Sequence, residues 1–402
     1  MNLSFEDTKT AFAYKSTKEL KNARFLFSSM GKEWLVNIGL TLTPWALKLG
    51  LPVKGIIRNT IFQQFVGGET LEKTSAIADK LGNYDVKVIL DYGVEGKEGE
   101  ANYDEATDTF INVIRYAATQ PNIPFMSIKM TGLARFSLME KLNAAAEYTD
   151  VVKGKLSLDV LDTQELAEWK RVEKRLERIC EEAQKANIGV LVDAEESWIQ
   201  HPVDAIVTQM MMKYNQSKPV VYNTAQLYRH DRLQFLKDNN EFALQNGFIN
   251  AMKLVRGAYM EKERERAEEL NYPDPINPDK NASDHEYNAA LEYCLSPASK
   301  MYIVVGSHNE YSNKYAVELM EKFNIQKNDP SVFFSQLYGM SDNITFNLAK
   351  EGCNASKYLP FGPIKDVIPY LMRRAQENSS VSGQTGRELG LIKMELKRRA
   401  EK

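Results

Sequence analysis

Between Val86 and Asn378 the chain alternates eight short runs of β-branched and aromatic residues with helical stretches, and no other feature narrows its choice of fold so far. The runs are Val86–Asp91, Phe125–Met130, Val190–Asp193, Val220–Asn223, Met252–Val255, Tyr302–Val305, Val332–Gln336 and Lys357–Leu359. Helical periodicity fills the intervals at Phe110–Thr119, Gln164–Lys185, Arg232–Asn246, Ser312–Phe323 and Asp342–Lys350. A strand that returns through a helix pairs parallel to its predecessor. Eight such units over about 290 residues predict an α/β protein built on a distorted, TIM-like (β/α)8 barrel. An open doubly wound sheet is the alternative, but no glycine-rich phosphate fingerprint follows an early strand. Thr8 to Asp85 reads as helix throughout, so the expected organisation is a helical segment over residues 1–85, the barrel over 86–378 and a tail over 379–402.

Composition removes several function classes. A net charge of -3 argues against a nucleic-acid partner gripped by a broad basic surface. Cys180, Cys294 and Cys353 are too scattered for a disulfide framework or a CxxC site. The four histidines lack paired ligand spacing, so no metal is expected. The acidic N-terminus does not resemble a targeting segment, which predicts a cytoplasmic protein. Trp34 to Leu47 is free of charge yet shorter than a membrane span, and reads as a helix pair broken at Pro44. Shallow contact with the inner face of a membrane is the second reading of that stretch. The run Glu261–Glu269 reads as a solvated face, and Asn271–Asp284, with three prolines, as a loop.

In a barrel the chemistry sits where the strands end. Lys129 and Lys253 lie inside apolar runs, an expensive place for a cation that nothing pairs. Asp193 closes the third run, where it is either an active-site acid or a helix cap completed by Glu196. Gln226, Val255, Arg256, Gly257, Ser307 and His308 also stand at strand ends. After the eighth run, Tyr370, Arg373, Arg374 and Glu377 fall at i, i+3, i+4 and i+7, so a helix would project them together. Ile364, Val367, Ile368, Leu371 and Ala375 would form its buried face. Two guanidiniums suit a carboxylate or phosphate, although an Arg373–Glu377 surface ion pair fits the same spacing.

Three motifs, Ser127-Ile-Lys129, Lys253-Leu-Val-Arg256-Gly257-Ala-Tyr259 and Tyr370-Leu-Met-Arg373-Arg374-Ala-Gln-Glu377-Asn378, resemble those of monofunctional proline dehydrogenases. The likeness begins at the Phe12-Ala-Tyr-Lys-Ser16 preface and covers nearly the whole chain. It implies an FAD-dependent barrel that oxidises L-proline to Δ1-pyrroline-5-carboxylate, the first step of proline breakdown to glutamate, and passes electrons to a quinone. By the same resemblance Lys129, Arg373 and Arg374 hold the substrate carboxylate, with Glu377 beside them. Leu337, Tyr358 and Tyr370 enclose the ring, and Lys253 lies by flavin N5. Ala194, Gln226, Val255, Arg256, Gly257, Ser307 and His308 touch FAD, and Asp193 is the acid of the site. Lys253 and Met260 depart from the Arg and aromatic residue of some bifunctional relatives, whose aldehyde dehydrogenase module finds no counterpart in this sequence. Tyr370 favours proline over hydroxyproline, because relatives preferring the latter carry a smaller residue there. Two rivals stand beside this reading: a Schiff-base lyase or aldolase using a strand lysine, and a flavin-binding barrel without turnover.

Overall fold

The computed structural model describes residues 3–32, 34, 36, 38–39, 54–93, 98–380 and 382–401. All eight expected strands form: β1 Lys87–Tyr92, β2 Phe125–Lys129, β3 Gly189–Asp193, β4 Val221–Gln226, β5 Ala251–Val255, β6 Tyr302–Gly306, β7 Val332–Leu337 and β8 Ala355–Phe361. They follow one another in order round a closed parallel sheet, the predicted (β/α)8 arrangement. Contact density divides the chain into two compact units, Gly96–Ser335 and Met1–Glu95 with Gln336–Lys402. The break at Pro44 lies outside the described residues. Among the described residues no helix is long and apolar enough to cross a membrane.

In the unit Gly96–Ser335 the register sets Lys129 of β2 directly beside Asp193 of β3. The helix Thr163–Ala186 starts on a capping box, with the Asp162 carboxylate accepting from the Gln164 and Glu165 amides at 2.8 Å. It buries Trp169, Val172, Leu176, Ile179 and Ala183, a stripe at helical spacing. Two readings need correction here. The charged run forms the helix Met260–Leu270, but its Glu263 is fully buried and accepts from the Ser197 amide and hydroxyl at 2.6 Å each, so one acid of the run is an anchor. The proline-rich loop stops at Asp279, whose side chain caps the helix Lys280–Leu295.

In the other unit a capping box at Ser16 and Glu19 opens the helix Thr17–Met30, which buries Leu20, Ala23 and Phe27. These join Phe65, Val367, Leu371, Leu391 and Ile392 in one apolar cluster. The helix Ile364–Ser380 runs through Pro369 and buries Ile364, Val367 and Leu371 as expected. Tyr370 is buried in the same cluster, so the polar face is not the open surface that spacing suggested. Two arginines near the end of the helix Ser382–Ala400 are tied into the fold. Arg398 and Arg399 both donate to Glu395 at 2.7 Å, and Arg399 further donates to the Phe12 carbonyl at 2.8 Å.

Gly339, after β7, has φ +82, and a Cβ there would lie 2.0 Å from the Gln64 carbonyl oxygen. Both the conformation and the space demand glycine. Gly339→Ala is expected to lower stability by at least about 2 kcal/mol in urea unfolding.

Candidate active site

Asp193 organises the unit Gly96–Ser335. Its carboxylate pairs with the Lys253 ammonium, accepts from the Ser127 hydroxyl at 2.5 Å, and lies 3.8 Å from the Lys129 ammonium. β2, β3 and β5 deliver these side chains because Ser127, Lys129, Asp193 and Lys253 share the strand positions that point into the group. Burial alone would raise the Asp193 carboxyl, but the charges of Lys253 and Lys129, with the bonds from Lys253 and Ser127, hold it below the usual carboxylate value. The ionised aspartate thus lies between two ammoniums. Asp193 is therefore an acid of this cluster and not the helix cap weighed as its alternative, since the cap position before Ser197 belongs to Glu196.

Glu195 lies two residues further on and is buried. Its carboxylate accepts from the Thr131 amide at 3.2 Å and hydroxyl at 2.8 Å. Burial pushes its carboxyl up to about 7, against the opposing charge of Lys129 and the Thr131 bonds. Gln226, at the end of β4, donates to the Glu195 carbonyl at 2.8 Å, while its own buried Oε1 has no partner among the described residues. Arg256 donates to Asp284 at 2.6 Å, Ser307 at 2.8 Å and Ser312 at 3.0 Å, and stacks on the Tyr287 ring. Ala194, Val255 and His308 are half-buried beside these residues in sequence, and Gly257, with φ +147, is exposed.

In the unit that includes Gln336–Lys402, Arg374 is buried and donates to Glu377 at 2.5 Å. Arg374 forms an ion pair with Glu377, three residues on along the helix. The Arg374 guanidinium also lies 5.2 Å from the Tyr370 ring centroid. Among the described residues, buried Tyr370 Oη and Arg374 Nε find no hydrogen-bond partner, which is the condition of donors kept for a polar ligand. Arg373, Leu337 and Tyr358 are half-buried.

A second buried charge group in this unit went unread in the sequence. Asp342 pairs with Lys15 and with Lys357, each at 2.9 Å. Lys357 stands in an apolar strand run just as Lys129 and Lys253 do, so the same argument applied to β8 would have found it.

The family description "Proline dehydrogenase" matches residues 74–387. The chain is 30% identical to proline dehydrogenase 1, mitochondrial, of Dictyostelium discoideum, over 98% of this chain and 74% of the relative. It is 31% identical to hydroxyproline dehydrogenase of Xenopus laevis, over 99% of this chain and 90% of the relative. The crystal structure of proline utilization A from Bdellovibrio bacteriovorus superposes with a TM-score of 0.74 at 19% identity, covering 98% of this chain and 44% of that one. At that identity the likeness concerns the fold, and this chain spans less than half of the larger protein. The mitochondrial relatives work in a compartment other than the cytoplasm expected above.

Glu195 yields a test by pH. A carboxyl whose value rises on folding contributes stability fully below its ordinary value of 4.5, and that contribution is lost as pH climbs through about 7. Glu195→Gln is expected to lose less stability than the parent between about pH 5 and about pH 8, followed by urea unfolding.

Proposed function

The chain belongs to the proline dehydrogenase family, and on that premise we propose that it is a flavoenzyme oxidising L-proline to Δ1-pyrroline-5-carboxylate, with a quinone as final acceptor. The observation that carries the reading is Asp193 shared by Lys129 and Lys253, which gathers two cations and an acid at the ends of β2, β3 and β5. The residues fit FAD: Gln226 keeps a buried, unpartnered acceptor, and Arg256 is fixed by two hydroxyls and an aspartate. Bound FAD would supply the hydride acceptor, N5 of its ring. Gln226, Arg256, Ser307 and His308 would hold it, with Ala194, Val255 and Gly257 lining its approach.

Oxidation of an amine-bearing carbon requires that carbon to be held in place while the nitrogen lone pair is free to form the C=N bond. Arg373, Arg374 and Lys129 would fix the substrate by its carboxylate. Glu377, which bonds Arg374, orients that guanidinium. Leu337, Tyr358 and Tyr370 would enclose the ring, and Tyr370, where hydroxyproline-preferring relatives carry a smaller residue, would favour proline. Lys253, held by Asp193, would stabilise negative charge that develops on the acceptor.

Peripheral contact with an anionic membrane fits one surface. Phe25 and Met394 are exposed at 69% and 52%, and Lys21, Arg24, Lys393 and Lys397 line a groove beside them. Each such cation is worth about 1 kcal/mol near an anionic bilayer.

Charge-assisted hydrogen bonds contribute roughly 1.5 to 3 kcal/mol, so Arg373→Met and Arg374→Met are each expected to raise the proline KM at least about tenfold. An unchanged KM in both would remove this helix from substrate binding. Lys253→Met is expected to retain the flavin but lower its reduction potential in a spectroelectrochemical titration. The protein should also sediment with vesicles containing anionic lipid and not with neutral ones, and Lys21→Glu with Arg24→Glu should abolish that.

A further inference from the structure

The Phe12–Ser16 preface is a motif that the proposed chemistry leaves unused, and two of its side chains end on a single carboxylate. Tyr14 donates its hydroxyl to Asp342 Oδ2 at 2.9 Å, and the Lys15 ammonium lies 2.9 Å from the same oxygen. Lys357, with no exposed surface, pairs with Asp342 Oδ1 and donates to the carbonyls of Met340 at 2.5 Å and Leu337 at 3.4 Å. The segment Leu337–Ser341 takes two left-handed residues, Gly339 at φ +82 and Ser341 at φ +49. The second is costly for a residue with a Cβ and persists only where its surroundings impose it. Its amide donates to the buried Glu388, and Tyr338 donates its amide to the Tyr358 carbonyl at 2.9 Å. Arg399 holds the preface from the other side by bonding the Phe12 and Lys15 carbonyls.

We infer that Tyr14, Lys15 and Lys357 form a clamp on Asp342 that fixes the segment Leu337–Ser341, making them positioning residues for the substrate-enclosing Leu337. The inference rests on the proline-oxidising reading, which assigns Leu337 to the ring. The clamp acts through two links. Lys357 draws two carbonyls of the segment toward itself, and Lys15 with Tyr14 keeps Asp342 ionised and in place at the segment's end. Burial would raise the Asp342 carboxyl, yet the two lysines hold it down at about 2, so the pairing persists throughout the working pH range. A purely structural cluster would let stability and all kinetic constants decline together, whereas a positioning clamp acts first on substrate affinity.

The test compares the holoenzymes of Lys15→Met and Lys15→Arg with the parent. Lys15→Met is expected to raise the proline KM about fivefold or more with kcat within about twofold and flavin content unchanged, and Lys15→Arg to restore KM. Hydrogen exchange of the amides in 338–341 should quicken in Lys15→Met and return to the parent rate in Lys15→Arg. Unaltered exchange and KM in Lys15→Met would overturn the clamp, as would a fall in kcat with loss of flavin and no change in KM. Should Lys15→Met fail to fold, Tyr14→Phe removes one donor to Asp342 while keeping its ring on Phe346, and is judged by the same readouts. If the parent itself does not oxidise proline, the substrate reading fails, and exchange alone then decides whether the clamp exists.

Discussion

Lysines carried by strands into apolar surroundings must find an anion, and the way this chain meets that requirement shapes both of its compact units. An unpaired buried ammonium costs several kcal/mol, and breaking such a pair leaves the partner equally exposed to that cost. Asp193 answers Lys129 and Lys253 in one unit, and Asp342 answers Lys15 and Lys357 in the other. Each group holds two cations and one aspartate. A buried glutamate accompanies each, Glu195 in the first and Glu388 in the second, and burial pushes both carboxyls up to about 7. At neutral pH neither glutamate is fully ionised.

The two groups are used differently. Asp342 and its lysines draw in backbone carbonyls, as Lys357 does with Met340 and Leu337, so that cluster is spent on holding the chain. Asp193 instead receives a hydroxyl from Ser127 and two ammoniums at the ends of neighbouring strands. Positive charge at strand ends is then available to an anionic ligand or to charge that builds up during reaction. The family reading supplies such a charge in the substrate carboxylate and in the flavin that accepts the electrons.

The barrel was legible because buried parallel strands need uninterrupted apolar runs, and each of the eight stood out between polar helices. Their ends were less so. β4 continues to Gln226 because Asn223–Gln226 pair with Met252–Val255 of β5, a register that composition does not record. The helix Glu100–Ala117 was visible only from Phe110, since its first half is largely polar. Lys129, Lys253 and Asp193 were legible as charges out of place. Asp342 was not, because it opens a helix, where an acid is ordinary, and its partners lie more than ten residues away in either direction along the chain. Glu263 was hidden in the same way by its charged neighbours.

The visible spectrum of the purified protein, recorded anaerobically before and after L-proline, tests most directly whether the charge gathered on Asp193 serves flavin-dependent amine oxidation. The account predicts a yellow protein whose flavin band bleaches on adding proline. A colourless protein that borohydride traps on a lysine would contradict it in favour of imine chemistry, and a yellow protein indifferent to proline would reduce the barrel to a flavin binder.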